Sequence, residues 1–222
     1  MTNLFSFEQR GADDKEEYIC QHNHLSVRKH LVYSGLPGIY FGCHCFVLML
    51  FEIPLPFFPP FYKLGFDEVA VMISGFALGP LAGATVETLK IILNLVFQGT
   101  DTAFVGEISN LLIGLSLVLP SAIYYKKHKT MKGAFIAMLI GVISMGIIGC
   151  FANYFIALPA YSYFYGMPMD VIVGMGSSIL PLVKDTFTFV VLMTLPFNLL
   201  KGVVVSLVVG ILYKRISPIL HR

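Results

Sequence analysis

An asparagine and a lysine lie one helical turn apart in an apolar stretch near the end of the chain. The stretch reads PFNLLKGVVVSLVV over residues 196–209, and the pair is Asn198 and Lys201. An ammonium group within a bilayer costs several kcal/mol unless a partner or water compensates it. Hydrogen bonding between helices does not require a charge, so Lys201 calls for another explanation. An amide and an ammonium together can hydrogen-bond the carbonyl or hydroxyl groups of a ligand. We therefore predict that both residues bind a ligand.

Polar side chains with the same three-residue spacing occur in other apolar segments. GEISN supplies Glu107 and Asn110, and ETLKIILN supplies Glu87, Lys90 and Asn94. Glu87 and Lys90 share one helix face and are close enough to pair with each other. The alternative for each asparagine is a hydrogen bond that only joins two helices. The predicted ligand-binding residues are Asn198, Lys201, Asn153, Glu107 and Asn110.

The composition indicates a membrane protein. Of the 222 residues, 56% are hydrophobic and 13% are charged, whereas soluble domains carry roughly 25% charged residues. The mean hydropathy is +0.78. Runs long enough to cross a bilayer occupy residues 31–51, 67–97, 104–125, 132–158 and 186–213. The second run exceeds one span and is interrupted by GPLAG, which predicts two helices there. We therefore expect an all-α membrane protein with six transmembrane helices.

The distribution of charge predicts the domain organisation and the orientation. Residues 1–30 form a polar leader, too charged for a signal peptide, with a composition compatible with disorder. Residues 31–222 form a single six-helix transmembrane domain. Six spans place both termini on one side, and that side carries most of the 15 basic residues. Basic residues favour the cytoplasmic side, so we expect the leader and both termini to be cytoplasmic.

The connections on the opposite side are long and structured. Residues 52–66 and 159–185 are rich in aromatic residues and proline. A connection that only links two helices can be short, so long apolar loops on one face suggest a covered pocket. Lys201 lies roughly 20 Å above the cytoplasmic end of its helix at 1.5 Å per residue. The candidate residues therefore lie beneath structured outer loops that form a ligand pocket.

Several segments resemble one family of membrane proteins. They are FEIPLPFFPPFYKLGFDEV, ISGFALGPLAGATVETLK, FQGTDTAFVGEISNLLIG, NYFIALPAY and LPFNLLKGVVVSLV. Their order and content resemble the riboflavin-specific substrate-binding (S) component of energy-coupling factor (ECF) transporters, over residues 46–220. The resemblance implies a multi-pass protein of the bacterial plasma membrane that binds riboflavin at its extracellular side. It also implies a transmembrane coupling (T) subunit and two ABC-type ATPase subunits as partners. Asn198 and Lys201 match the ligand-contacting residues of that family.

The sequence is also compatible with other functions. The ligand could be another vitamin, such as thiamine or a folate, and riboflavin is not distinguished from its phosphate FMN. A structural membrane protein without transport activity is a further alternative. The sequence lacks a G-x-x-x-x-G-K-[ST] loop, so the chain is not the ATPase. We predict no enzymatic activity, no catalytic residues, no metal site, no resident cofactor and no nucleic-acid partner.

The first apolar run contains small residues at every fourth position. Ser34, Gly38 and Gly42 would lie along one face of a helix and allow another helix to approach closely. We predict that this face docks on the coupling subunit. Packing within the chain itself is an equal alternative.

Overall fold

The computed structural model describes residues 43, 45, 47–49, 52–59, 62–100, 104–166 and 168–220. The polar leader and the predicted docking face of Ser34, Gly38 and Gly42 lie outside these residues. Most of the apolar run 31–51 also lies outside them, although residues 43, 45 and 47–49 are helical. The docking face therefore stays a prediction.

The described part of the chain is mostly helical. Its helices are α1 (Asp67–Leu78), α2 (Pro80–Gln98), α3 (Val105–Lys127), α4 (Met131–Ala152), α5 (Leu158–Tyr165), α6 (Met169–Ile179), α7 (Thr186–Phe189) and α8 (Leu195–Leu220). A π-helical turn, Asn153–Ala157, joins α4 to α5, and a second, Val190–Thr194, joins α7 to α8. Two short strands, β1 (Glu52–Pro54) and β2 (Lys63–Gly65), precede α1.

The long apolar run 67–97 forms two helices, as its GPLAG break predicts. The chain turns at Gly79, whose φ of 101° is readily accessible only to glycine. Pro80 then occupies the start of α2, where its missing N–H removes no helical hydrogen bond. The prediction of a break is therefore confirmed, and its cause is a glycine–proline pair.

Four helical segments of the described chain are long and apolar enough to cross a membrane. They are Pro80–Gln98, Val105–Lys127, Met131–Phe164 and Thr186–Tyr213. Large apolar side chains such as Leu81 and Ile211 are more than 70% exposed on these helices. Lipid can cover such surfaces, whereas a soluble protein would bury them. Because α1 has only 12 residues and the first run is largely undescribed, the number of six spans stays a prediction.

The fold is mostly helical, as predicted, and the loop that precedes α1 adds a short two-stranded hairpin. Strands β1 and β2 pair antiparallel there, with Glu52 opposite Gly65 and Pro54 opposite Lys63. The prolines of this loop prevent a helix but are compatible with a short edge strand. The hairpin ends at Gly65, two residues before α1 begins at Asp67.

Both π-helical turns occur just before a proline. The first ends two residues before Pro159 and the second two residues before Pro196. A proline lacks an N–H and clashes with the carbonyl four residues earlier in an α-helix. The wider π turn accommodates this defect, and such turns often lie at functional sites.

Helices α3 and α4 approach each other closely at Gly141. A β-carbon at this position would lie 2.5 Å from the carbonyl oxygen of Leu117 and would also contact Ser121. Backbone atoms cannot move aside as a flexible side chain can. The close approach therefore requires glycine at this position.

We expect Gly141→Ala to lower the free energy of unfolding by about 1–3 kcal/mol, because the added methyl group overpacks the helix contact. The melting temperature of the detergent-solubilised protein measures this change. Gly174→Ala is the matched control, since a β-carbon at Gly174 in α6 meets no heavy atom of the described chain within 4 Å. Equal melting temperatures for the two variants would contradict the close packing of α3 on α4.

Candidate functional site

The five residues predicted to bind a ligand surround one cavity. Its volume is about 370 Å³, which lies within the range of about 300–1,000 Å³ typical of ligand sites. The cavity lies where the hairpin meets the ends of the long helices. The start of α3, the first π turn and the first half of α8 contribute the five residues, which are Glu107, Asn110, Asn153, Asn198 and Lys201. The sequence prediction therefore selects residues that the fold brings together, and their contact with a ligand stays a prediction.

A buried cluster of charges lies beside this cavity. The ammonium of Lys90 is 2.7 Å from Asp67 Oδ2, 3.1 Å from Glu68 Oε1 and 2.9 Å from Glu87 Oε2. All four side chains are at most 4% exposed. The predicted pairing of Glu87 with Lys90 is thus confirmed. Lys90 donates hydrogen bonds to Asp67 and Glu68, and the carboxylate of Glu87 supplies a third compensating charge.

Lys201 has a different environment. Its ammonium lies 3.6 Å from Glu68 Oε1, the same oxygen that contacts Lys90. A charge-assisted hydrogen bond is shorter, about 2.7–2.9 Å. The contact therefore compensates the charge of Lys201 without using its hydrogen-bond donors. Since Lys201 also lines the cavity, these donors are available to a ligand.

Asp67 and Glu68 are the members of this charge cluster that the sequence prediction missed. They occupy the first turn of α1, where the positive end of the helix dipole favours carboxylates. Their exposed fractions are only 2% and 0%. Two adjacent acids at the start of an apolar helix are the available sequence signal. Their partners, however, lie on α2 and α8, and only the folded chain reveals them.

Glycine provides the space for the acidic side chains. A β-carbon at Gly114 on α3 would collide with the carboxylate of Glu87 and would lie 3.1 Å from Glu68 Oε1. The smallest residue on α3 therefore lets two carboxylates pack between the helices.

Tyr62 connects the hairpin to both π-helical turns. Its hydroxyl donates to Asn153 Oδ1 at 3.2 Å and lies 2.6 Å from Thr194 Oγ1. Asn153 begins the first turn and Thr194 ends the second. Burial raises the pKa of the Tyr62 phenol above its ordinary value, so this group stays neutral and keeps its donor. The loop is thus fixed to the two helices whose side chains line the cavity.

Three polar atoms at the cavity wall have no hydrogen-bond partner among the described residues. They are Asn94 Oδ1, Ser109 Oγ and Asn198 Nδ2. The amide nitrogen of Asn198 packs against Gly149, where any β-carbon would collide with it. Buried polar atoms normally have partners. Three side chains of the lining therefore carry donors or acceptors whose hydrogen bonds the described residues leave unmade.

An aromatic wall faces the polar groups. Phe197 and Tyr62 both line the cavity, and their rings stack with centroids 4.8 Å apart. Phe58 contacts Phe197 edge-on from outside, with centroids 5.3 Å apart. Of the aromatic residues in the outer loops, Tyr161 lines the cavity, whereas Tyr163 is 83% exposed. The site therefore combines a flat apolar surface with amides and charged side chains, among them the ammonium of Lys201.

We expect Lys90→Met to lower the free energy of unfolding by at least about 3–5 kcal/mol, because it leaves three carboxylates buried without their cation. Lys63→Met is the control: its partner Glu52 is 3.2 Å away but the lysine side chain is 52% exposed. Loss of such a surface pair costs about 0–1 kcal/mol. Thermal unfolding and the yield of monodisperse protein distinguish the two variants. Similar stability of both would contradict a structural role for Lys90.

The chain matches one protein family and is similar to known members of it. The family described as "ECF transporter, substrate-specific component" matches residues 44–213. The chain is 34% identical over 195 residues to the riboflavin transporter FmnP of Bacillus subtilis (strain 168), covering 87% of this chain and 94% of that one. It is 33% identical over 177 residues to the riboflavin transporter RibU of Staphylococcus aureus (strain TCH60), covering 80% and 86%.

A solved structure has the same fold. The S component of a bacterial ECF transporter superposes with a TM-score of 0.64 at 31% sequence identity, covering 88% of this chain and 99% of that chain. The family match spans most of the chain and includes the hairpin, the charge cluster and the cavity. The chain therefore belongs to the family of substrate-specific (S) components of ECF transporters.

Proposed function

We propose that this chain binds riboflavin in the cavity beside Lys201 and delivers it for ATP-driven uptake across the bacterial plasma membrane. The observation that supports a binding site most directly is the convergence of Asn198, Lys201, Asn153, Glu107 and Asn110 on one cavity. The choice of riboflavin is supported by the two relatives, both riboflavin transporters, that are at least 33% identical to the chain.

The chemistry of the cavity suits a flavin. Riboflavin has a flat aromatic ring, a polar edge with carbonyl and N–H groups, and a polyol chain. The stacked rings of Tyr62 and Phe197 offer a surface for the flat ring. Lys201 and the amide of Asn198 can donate to carbonyl oxygens, while Asn94 Oδ1 can accept from an N–H or a hydroxyl.

The charges at the cavity favour riboflavin over FMN. Both described lysines of the lining have a carboxylate close by, Lys63 at Glu52 and Lys201 at Glu68. These carboxylates already compensate the positive charge that would favour a phosphate group. The carboxylate of Glu107 in the same lining would also repel a phosphate. An uncharged polyol avoids both costs.

Transport requires partners, as in the rest of the family. The proposed partners are a T subunit and two ABC-type ATPases, since this chain has no ATP-binding loop. We further propose six transmembrane helices with both termini in the cytoplasm. The exposed lysines between α3 and α4, such as Lys127 and Lys129, support that orientation. The cavity then opens at the extracellular side, beneath the hairpin.

Riboflavin binding is tested with the purified full chain. Riboflavin fluorescence should be quenched on titration, and protein from a riboflavin-rich culture should be yellow. Asn198→Ala and Lys201→Met should each weaken binding by about 1–3 kcal/mol, the scale of a buried hydrogen bond left unmade. Leu207→Ala is the control, because Leu207 lies on the same helix but is 60% exposed, away from the cavity.

Competition separates the alternatives in the same assay. Added riboflavin should displace the flavin already bound to the protein. FMN should displace it more weakly, and thiamine or folate should not displace it. A colourless protein that leaves riboflavin fluorescence unchanged would overturn the proposal. Strong competition by thiamine or a folate would assign the cavity to another vitamin.

A further inference from the structure

Lys201 obtains its position from a carboxylate that lies behind the cavity wall. Glu68 is fully buried at 0% exposure and is not among the described residues that line the cavity. Its Oε1 atom lies between two ammonium groups, 3.1 Å from Lys90 and 3.6 Å from Lys201. We propose that Glu68 is a positioning residue for ligand binding, which holds the Lys201 ammonium at the cavity. This inference rests on the proposed function.

The anchor for Glu68 is Lys90. Glu68 belongs to α1, Lys90 to α2 and Lys201 to α8, so one carboxylate joins three helices. Lys90 is also held by Asp67 and Glu87 at 2.7 and 2.9 Å. Because these contacts fix Lys90, they also fix the oxygen that Lys201 faces. The long, flexible side chain of a lysine otherwise has many rotamers, and ordering it on ligand binding would cost free energy.

The cluster also determines what the ligand has to supply. Asp67, Glu68 and Glu87 carry three formal negative charges, and Lys90 and Lys201 carry two positive charges. The charge of Lys201 is therefore already compensated before any ligand arrives. At 3.6 Å from Glu68 it still lacks a short hydrogen bond. The ligand has to supply a hydrogen-bond acceptor and need not supply a negative charge.

Glu87 provides a matched comparison within the same cluster. It is as fully buried as Glu68 and also contacts Lys90. No ion pair between Glu87 and Lys201 is present in the described part of the chain, in contrast to the contact of Glu68. If the cluster only stabilises the fold, Gln at either position should have the same effect on binding. If Glu68 acts through Lys201, only Glu68→Gln should alter binding.

A double-mutant cycle tests this role. Riboflavin dissociation constants are measured by fluorescence quenching for the wild-type chain, Glu68→Gln, Lys201→Met, the double variant and Glu87→Gln. We expect Glu68→Gln to weaken binding about tenfold when Lys201 is present and to have little further effect in the Lys201→Met chain. Glu87→Gln should lower the melting temperature yet leave the dissociation constant within about twofold of the wild type.

The other outcomes of this experiment would overturn the positioning role alone or the proposed function as well. Additive effects of Glu68→Gln and Lys201→Met, or an equal loss of affinity in Glu87→Gln, would overturn the positioning role while wild-type binding still supports the proposed function. Absence of binding by the wild-type chain would overturn both. If Glu68→Gln does not accumulate as folded protein, Glu68→Asp replaces it, since it retains the charge but shortens the reach toward Lys201. Its loss of affinity should likewise disappear in the Lys201→Met chain, and additivity there would overturn the role.

Discussion

The ion cluster around Lys90 is the constraint on which the rest of the site depends. A buried ammonium is costly unless nearby groups compensate its charge, and Lys90 has three carboxylates within 3.1 Å. These carboxylates come from the first turn of α1 and from α2 itself, so the cluster fixes how the two helices pack. Through Glu68 it extends to α8. One group of charges therefore joins three helices beside the cavity.

The two buried lysines, Lys90 and Lys201, have different surroundings because their carboxylate partners lie at different distances. Lys90 has three carboxylate oxygens within 3.1 Å, which suits a structural residue. Lys201 has one long contact and lines the cavity, which suits a residue that binds a ligand. The opposite wall is held in a different way, through the Tyr62 hydroxyl and two π-helical turns. Ion pairs therefore hold the helices at one side of the site, while hydrogen bonds of Tyr62 hold the hairpin loop.

Sequence patterns predicted the features that depend on neighbours along the chain. The Gly79–Pro80 break, the Glu87–Lys90 pair and the long apolar helices all follow from local spacing. The convergence of the five candidate residues was predictable because ionisable and amide groups are costly in apolar helices. Glu68 was not recognised, since it lies at the edge of an apolar run and its partners are 22 and 133 residues away along the chain. The contacts of Tyr62 with Asn153 and Thr194 were not predictable for the same reason.

We expect Lys201 to bind the flavin while Glu68 and Lys90 keep their buried positions. A crystal structure of the chain with riboflavin bound would show whether these contacts form. We expect the flavin to occupy the cavity, with an oxygen or nitrogen atom of its polar edge within about 3.2 Å of Lys201 Nζ and the Lys90 cluster unchanged. A flavin bound elsewhere, or a Lys201 ammonium that contacts only Glu68 in the complex, would contradict this expectation.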